Sequence, residues 1–226
     1  MPWRDWIRTI EVEPSIYGAD FANLGDQLEA LLRSEARVFH FDAGDGHFIE
    51  PITMGPIVLQ SIAPIIHRYD GGVIDVHLMV DNPAKHFAQF AEAGADSVTF
   101  HYEAVDDVPA TIRAAREQEL QVGVAFNPET KPKDVAKVVG DADIVLCMAI
   151  HPGYSGQPFL EETYDRVEQL RKALPDEIHI QVDGGVNAEN IKALYDRGAT
   201  LFVAAAAIFG REDLPRAYRR MVQALA

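Results

Sequence analysis

A single (β/α)8 barrel of the α/β class is the fold this sequence predicts, and three observations point there. Short β-branched or aromatic runs alternate with longer amphipathic stretches along all 226 residues, which is the rhythm of repeated strand–helix units. The alternation reaches eight pairs, the number that closes a parallel barrel. The rival, a doubly wound open sheet that binds a dinucleotide, needs a Gly-rich turn after its first strand. Here that turn reads "PSIYGADF", with one glycine.

The elements follow in order. The strand segments are "IEVEPSI", "RVFHFDA", "GVIDVHLM", "SVTFHY", "QVGVAF", "DIVLCMAI", "IHIQVDG" and "TLFVAAA". Helical patterns lie between them, as in "ADFANLGDQLEALLRSE", "PAKHFAQFAEAG" and "NAENIKALYDRG". The last two end in Gly just past the final periodic residue, as a helix C-cap should. No linker or low-complexity tract interrupts the chain, so one barrel domain over residues 1–226 is expected, with a short N-terminal extension at 1–8. Trp3 and Trp6 of that extension are expected to form a packed arm, over the barrel bottom or a neighbouring subunit.

The chain carries 20 Lys and Arg against 35 Asp and Glu, a formal charge of −15. That balance disfavours nucleic acid and anionic membrane as partners. A small anion is still compatible, because local backbone amides or a metal outweigh a distant repulsive field. A lone cysteine, Cys147, excludes an intrachain disulfide. "MPWRDWIRTI" has charges and tryptophans where a signal peptide needs an apolar core, and no apolar run is long enough to span a bilayer. The expectation is a soluble cytoplasmic protein.

In a barrel, polar residues at the C-terminal strand ends face the active site. Ser15 closes the first strand, His40 and Asp42 the second, His77 the third and Asp183 the seventh. Strand period two puts His40 and Asp42 on one face and Phe39 and Phe41 on the other. Asp75 shares the face of His77 but lies deeper. A lone strand-end His is more often a hydrogen-bonded core residue than a ligand. A carboxylate inside an apolar run is harder to dismiss, because an unpaired buried charge costs several kcal/mol, roughly 3–5. Two imidazoles and two carboxylates on one face form a plausible set of nitrogen and oxygen ligands for a divalent metal.

The stretches "EPSIYGADFANLG", "HFDAGDGHF", "DVHLMVDNPAKH", "AEAGADSVTFHYEA", "GVAFNPET", "HPGYSGQPF", "QVDGGVN" and "AAAAIFG" resemble, in order and from about Ile10 to Gly210, the ribulose-phosphate 3-epimerase family. The resemblance implies a barrel of the ribulose-phosphate-binding type. Members hold one divalent ion through two His and two Asp, and His40, Asp42, His77 and Asp183 occupy those positions. Zn²⁺ is the first expectation, with Fe²⁺, Mn²⁺ or Co²⁺ compatible with the same donors. The implied reaction inverts C3 of a ketose phosphate through an enediolate, with D-ribulose 5-phosphate and D-xylulose 5-phosphate as the default pair. Asp42 and Asp183 would exchange the C3 proton from opposite faces. Ser15 matches a residue that hydrogen-bonds around substrate and catalytic carboxylate. Met79 and Met148 match thioethers packed near the ion, with ordinary core packing an equal alternative. His77 is expected to meet substrate as well. The phosphate is expected at amides of three turns: Gly153, Tyr154, Ser155 and Gly156 of "PGYSGQ", then Gly184 and Gly185, then Ala205 and Ala206 opening the last helix. The partners implied are a small sugar phosphate and further copies of the same chain in a homo-oligomer.

The sequence also departs from the family. Members usually read "DVMDGHF", so Gly44 stands where a methionine packs by the metal, and a wider site or closer water is expected. Glu50 and Pro51 replace Pro and Asn of "VPNIT". Tyr17 and Gly18 alter a loop that reads "SILSADF" in many members, and Tyr17 is expected to pack on the barrel rim, with a reach into the pocket as the alternative. Ala205-Ala206 replaces a Gly-Ser pair, removing a hydroxyl and adding strain if the lost glycine needed positive φ. Retained chemistry on a shifted substrate is the expectation, with a hexulose or tetrulose phosphate as alternatives. A lyase would need a strand-end Lys, and the strand segments hold none. A non-catalytic binding relative is the third reading, motivated by Ala205-Ala206.

Overall fold

The computed structural model describes residues 10–154 and 156–226. The extension carrying Trp3 and Trp6, and Ser155 of the sixth turn, lie outside the described residues. Among those described, eight strands form: β1 (Glu11–Pro14), β2 (Val38–Gly44), β3 (Val73–Met79), β4 (Ser97–His101), β5 (Gln121–Phe126), β6 (Ile144–Met148), β7 (His179–Asp183) and β8 (Leu201–Ala204). They pair in parallel in the order β1-β8-β7-β6-β5-β4-β3-β2. An isolated parallel bridge between Ser15 and His40 brings the end of β1 against β2 and closes the ring. The expected barrel is what the chain builds.

The outer layer consists of α1 (Leu24–Leu32), α2 (Pro56–His67), α3 (Phe87–Ala93), α4 (Val108–Arg116), α5 (Pro132–Ala136), α6 (Thr163–Ala173), α7 (Ile191–Tyr195), α8 (Ala206–Phe209) and α9 (Leu214–Gln223). The main core lies between these helices and the outward strand faces. Phe39 and Phe41 of β2 are fully buried there, and Phe41 meets Phe90 of α3 edge-on at 6.2 Å. Each such ring contributes roughly 1.5–3 kcal/mol by leaving water. The alternate positions of the same strand, His40 and Asp42, are consequently turned into the barrel. None of the helices among the described residues is long and apolar enough to cross a membrane.

Helix ends follow local chemistry. Gly94 caps α3 at φ 103°, a left-handed conformation that suits glycine. Asp107 and Asp213 cap α4 and α9 by accepting from the amides of Ala110 and Arg216, both at 2.9 Å. "ADFANLGDQLEALLRSE", which reads as one helical pattern, is divided. Asp20 accepts from the Ala22 amide at 3.0 Å and holds Phe21–Asn23 as a 3-10 turn, and α1 starts at Leu24. A short acidic side chain competing for backbone amides explains the break.

Candidate active site

At the C-terminal end of the barrel, β2, β3 and β7 bring His40, Asp42, His77 and Asp183 together, with one ligand atom of each inside a 4.8 Å span. His40 Nε2 is 3.4 Å from Asp42 Oδ1 and 4.0 Å from Asp183 Oδ2. His77 Nδ1 is 3.3 Å from Asp42 Oδ1 and 3.7 Å from Asp183 Oδ2. Ser15 donates its hydroxyl to Asp42 Oδ2 at 2.7 Å. Register explains the convergence: His40 pairs with Asp75, and Asp42 with His77, so inward positions of β2 and β3 stand side by side.

A second layer, which the sequence did not announce beyond Asp75, holds these groups from below. His40 Nδ1 lies 3.2 Å from Asp75 Oδ2. Asp75 Oδ1 accepts from Ser97 at 2.7 Å and Thr99 at 3.3 Å. Gln181 donates to Asp75 at 2.9 Å and also to Glu13. His77 Nε2 faces His101 Nε2 at 2.8 Å, and His101 Nδ1 faces Glu103 at 3.4 Å. Strand parity could have found Glu13 and Gln181, since each sits two residues before an inward site residue, Ser15 and Asp183. A further residue escaped the sequence reading altogether. Arg166 of α6, buried, donates to the carbonyls of Met148 (2.6 Å) and Asn127 (2.8 Å), fastening the end of β6 and the loop after β5.

Electrostatics separate the two carboxyls. Burial and the charge of Asp42 push Asp183 up to about 7. Burial acts on Asp42 in the same direction, but His40 and His77 outweigh it and hold that carboxyl below the usual range. Burial opposes charge on His40 as well, yet Asp42, Asp75 and Glu13 overcome it and raise its pKa well above the ordinary value. Burial lowers His77, and takes His101 down to about 4 and Glu13 up to about 7. The interior is thus a well of negative potential with a histidine at its centre. His40 Nε2 is buried without a hydrogen-bond partner while facing two carboxylates. An orphaned imidazole nitrogen beside oxygen donors suits a divalent cation.

Above this floor opens a cavity of about 650 Å³, within the range of small-molecule sites. Ser15, Asp42, Met79, Met148 and Asp183 line its base, and Tyr17, Gly153, Tyr154, Gly156, Gly184, Gly185, Ala205 and Ala206 its walls. His40 and His77 are wholly buried and lie behind that lining. Tyr17, read as a rim aromatic, borders the cavity. Gly184 and Gly185 take φ 113° and 66°; a Cβ on Gly184 would come within 2.9 Å of the Ile150 backbone nitrogen, so glycine is required there.

Two departures resolve physically. Gly44 does not widen the site: Ile49 fills the space, and a Cβ on Gly44 would come 2.5 Å from its Cδ1. Pro51 and Ile49 in turn face Gly153 of the sixth turn, while Glu50 is exposed. Ala205 has φ −93°, so alanine carries no left-handed strain. A Cβ on Gly18 would sit 3.2 Å from that of Ala205; a side chain missing from one loop leaves room for the one present in the other.

The profile of the "Ribulose-phosphate 3 epimerase family" matches residues 11–209. The chain belongs to this family. It is an isomerase. Ribulose-phosphate 3-epimerase of Serratia marcescens is 39% identical over 207 residues, covering 89% of this chain and 96% of that one. The Escherichia coli enzyme of that name is 37% identical over 220 residues (95% and 96%), and the Bacillus subtilis enzyme 35% over 212 residues (92% and 96%). Among solved structures, 3-hexulose-6-phosphate synthase from Salmonella typhimurium superposes with a TM-score of 0.71 at 18% identity, covering 96% and 98%. Orotidine 5'-phosphate decarboxylase from Pyrococcus horikoshii gives 0.69 at 14%, covering 95% and 98%. At those identities the likeness is one of fold. Among the described residues no lysine lines the cavity or stands on a strand, which speaks against a lysine-based lyase on this scaffold.

Proposed function

We propose that this chain is a divalent-metal-dependent epimerase that inverts C3 of a ketose phosphate, with D-ribulose 5-phosphate and D-xylulose 5-phosphate as the pair. The observation that carries the reading is the meeting of Asp42 and Asp183, from strands on different sides of the ring, at the floor of one cavity. Two acids so placed flank a planar enediolate. One removes the C3 proton from its face, and the other delivers a proton to the opposite face.

His40, Asp42, His77 and Asp183 would hold the ion. Bound there, it supplies a Lewis acid for the negative charge that develops at the ketone oxygen, with Zn²⁺ ahead of Fe²⁺, Mn²⁺ and Co²⁺ by donor type. Ser15 orients Asp42 through its 2.7 Å hydrogen bond. Met79 and Met148 line the base as soft apolar surface that limits water. Amides around Gly153, Tyr154, Ser155, Gly156, Gly184, Gly185, Ala205 and Ala206 would receive the phosphate, a role that backbone N–H groups in turns perform whatever the side chain. The altered rim at Tyr17, Gly18 and Ala205 supports a second reading, epimerisation of a hexulose or tetrulose phosphate. A cytoplasmic homo-oligomer is part of the same proposal, and light scattering on the purified protein tests the assembly.

The test is exchange in D₂O. Metal-loaded protein should place deuterium at C3 of the sugar phosphate, lose that activity on chelation and regain it with added Zn²⁺, Fe²⁺, Mn²⁺ or Co²⁺. Running pentulose, hexulose and tetrulose phosphates in parallel separates the two readings. No deuterium at C3 with any of them would overturn both.

A further inference from the structure

We infer that His101 and Glu103 are positioning residues that fix which nitrogen of His77 carries the proton, and through it tune the grip of the four-residue set on a divalent ion. The second half rests on the metal reading above; the first does not.

The chain of acceptors starts outside the barrel axis. Glu103 Oε1 accepts from the backbone amide of Asn127 at 2.8 Å and from the hydroxyl of Thr130. Its Oε2 is left for His101 Nδ1 at 3.4 Å. An ionised carboxylate only accepts, so that nitrogen of His101 carries the hydrogen. The other nitrogen, Nε2, then presents a lone pair 2.8 Å from His77 Nε2. This bond forms only if His77 holds its proton on Nε2. His77 Nδ1 is thereby left as a lone pair facing Asp42 and Asp183, at 3.3 and 3.7 Å. The reverse assignment sets a lone pair of His101 against a carboxylate oxygen and a proton of His77 where a cation must sit.

Packing keeps the rings in place. The centroids of His77 and His101 lie 5.0 Å apart with 20° between the ring planes, the nearly coplanar, edge-to-edge arrangement that an N–H···N bond requires, and the Phe48 ring lies 4.7 Å from His101. Both imidazoles are fully buried, and neither His101 nor Glu103 lines the cavity. Their influence must therefore pass through His77. A partner on the far nitrogen of a ligating imidazole sets its tautomer and basicity, and its loss typically costs about 10–100-fold in metal affinity. His40 has its own such partner, Asp75 at 3.2 Å; for His77 the role falls to an imidazole relayed to a carboxylate on another loop.

The experiment compares the parent with His101→Phe, which keeps a ring but loses the acceptor, His101→Gln, which returns a carbonyl acceptor, and Glu103→Gln. Ring ¹⁵N shifts of His77 in metal-free protein report its tautomer. Co²⁺ titration against a chromophoric chelator, read with the visible spectrum of the bound ion, reports the grip. Expected are an Nε2–H tautomer in the parent, a shift toward Nδ1–H in His101→Phe, and a fall of about 10–100-fold in Co²⁺ affinity. His101→Gln should recover most of both. If His101→Phe does not fold, Glu103→Gln carries the test, because its amide can donate to His101 and mix the tautomers. An unchanged His77 tautomer in the folded variants overturns the inference. So does Co²⁺ affinity equal to the parent's. A parent that binds no divalent ion overturns the metal reading instead, while the ¹⁵N shifts still decide the tautomer.

Discussion

The floor and the rim of this cavity are built on different principles. On the floor, side chains do the positioning: His40, Asp42 and His77 each rest on a named partner, Asp75, Ser15 and His101, within 3.2 Å. On the rim, backbone does it: the turns at Gly184, Gly185 and Ala205 depend on chain conformation and on how closely loops approach. A change on the floor is expected to remove the proposed chemistry. One on the rim can be answered by a neighbouring loop, as Gly18 answers Ala205. This is why a chain can depart from its family at several rim positions while keeping its four candidate ligands.

The largest contrast should come from the floor. Asp183→Asn is expected to lower kcat and C3 deuterium exchange by about 10²–10⁴-fold, the usual worth of a positioned acid or base, with the thermal midpoint little changed. Residual activity near the parent's would break the comparison. On the rim, Gly184→Ala forces a Cβ against the Ile150 backbone at a φ of 113°, so a loss of about 1–3 kcal/mol in denaturant titrations is expected. Ala206→Ser adds a hydroxyl to a cavity wall. One neutral hydrogen bond, worth about 0.5–1.5 kcal/mol, should lower KM for the sugar phosphate by no more than about tenfold and leave kcat unchanged. Gly18→Ser crowds Ala205, and pairing it with Ala205→Gly should restore stability. A coupling of about 0.5–1 kcal/mol in a double-mutant cycle would sharpen the idea that these loops compensate, and strict additivity would remove it.

The smallest effect lies away from both regions. Asp96 accepts from His67 at 2.9 Å, and that hydrogen bond raises the His67 pKa against a smaller opposing effect of burial. A raised folded value means the stabilisation is fully present below the ordinary histidine pKa and is lost as pH rises through the folded value. The pair is partly exposed, so screening holds the contribution under about 1 kcal/mol. Buried Glu13, Asp183 and His40, also raised, add to the decline of the thermal midpoint between pH 5.5 and 8, so His67→Gln should make that decline slightly shallower than the parent's without removing it.

The strands and their inward faces were legible because a period-two pattern such as "RVFHFDA" states burial and direction together. The four candidate ligands were legible because they sit at strand ends. The supporting layer was legible only in part, since parity turns Glu13 and Gln181 inward without saying what they meet. Glu13, Gln181 and His101 come from β1, β7 and β4, and their meeting with Asp75 or His77 depends on register around the ring, which no local window contains. Gly44 misled for a related reason. Its missing side chain reads as a void, whereas Ile49 from the following turn occupies the place. A deletion in sequence becomes a cavity only if nothing folds back to fill it.

The bridge from Ser15 to His40 closes the barrel where β1 returns to β2, and the Ser15 hydroxyl is the one fastened to Asp42. The staves of this cask are therefore hooped beside the carboxyl proposed to move a proton. Any parting of the first stave from the second would tug on that carboxyl group, so, if it acts as proposed, the tightness of that joint and the pace of turnover should rise and fall together.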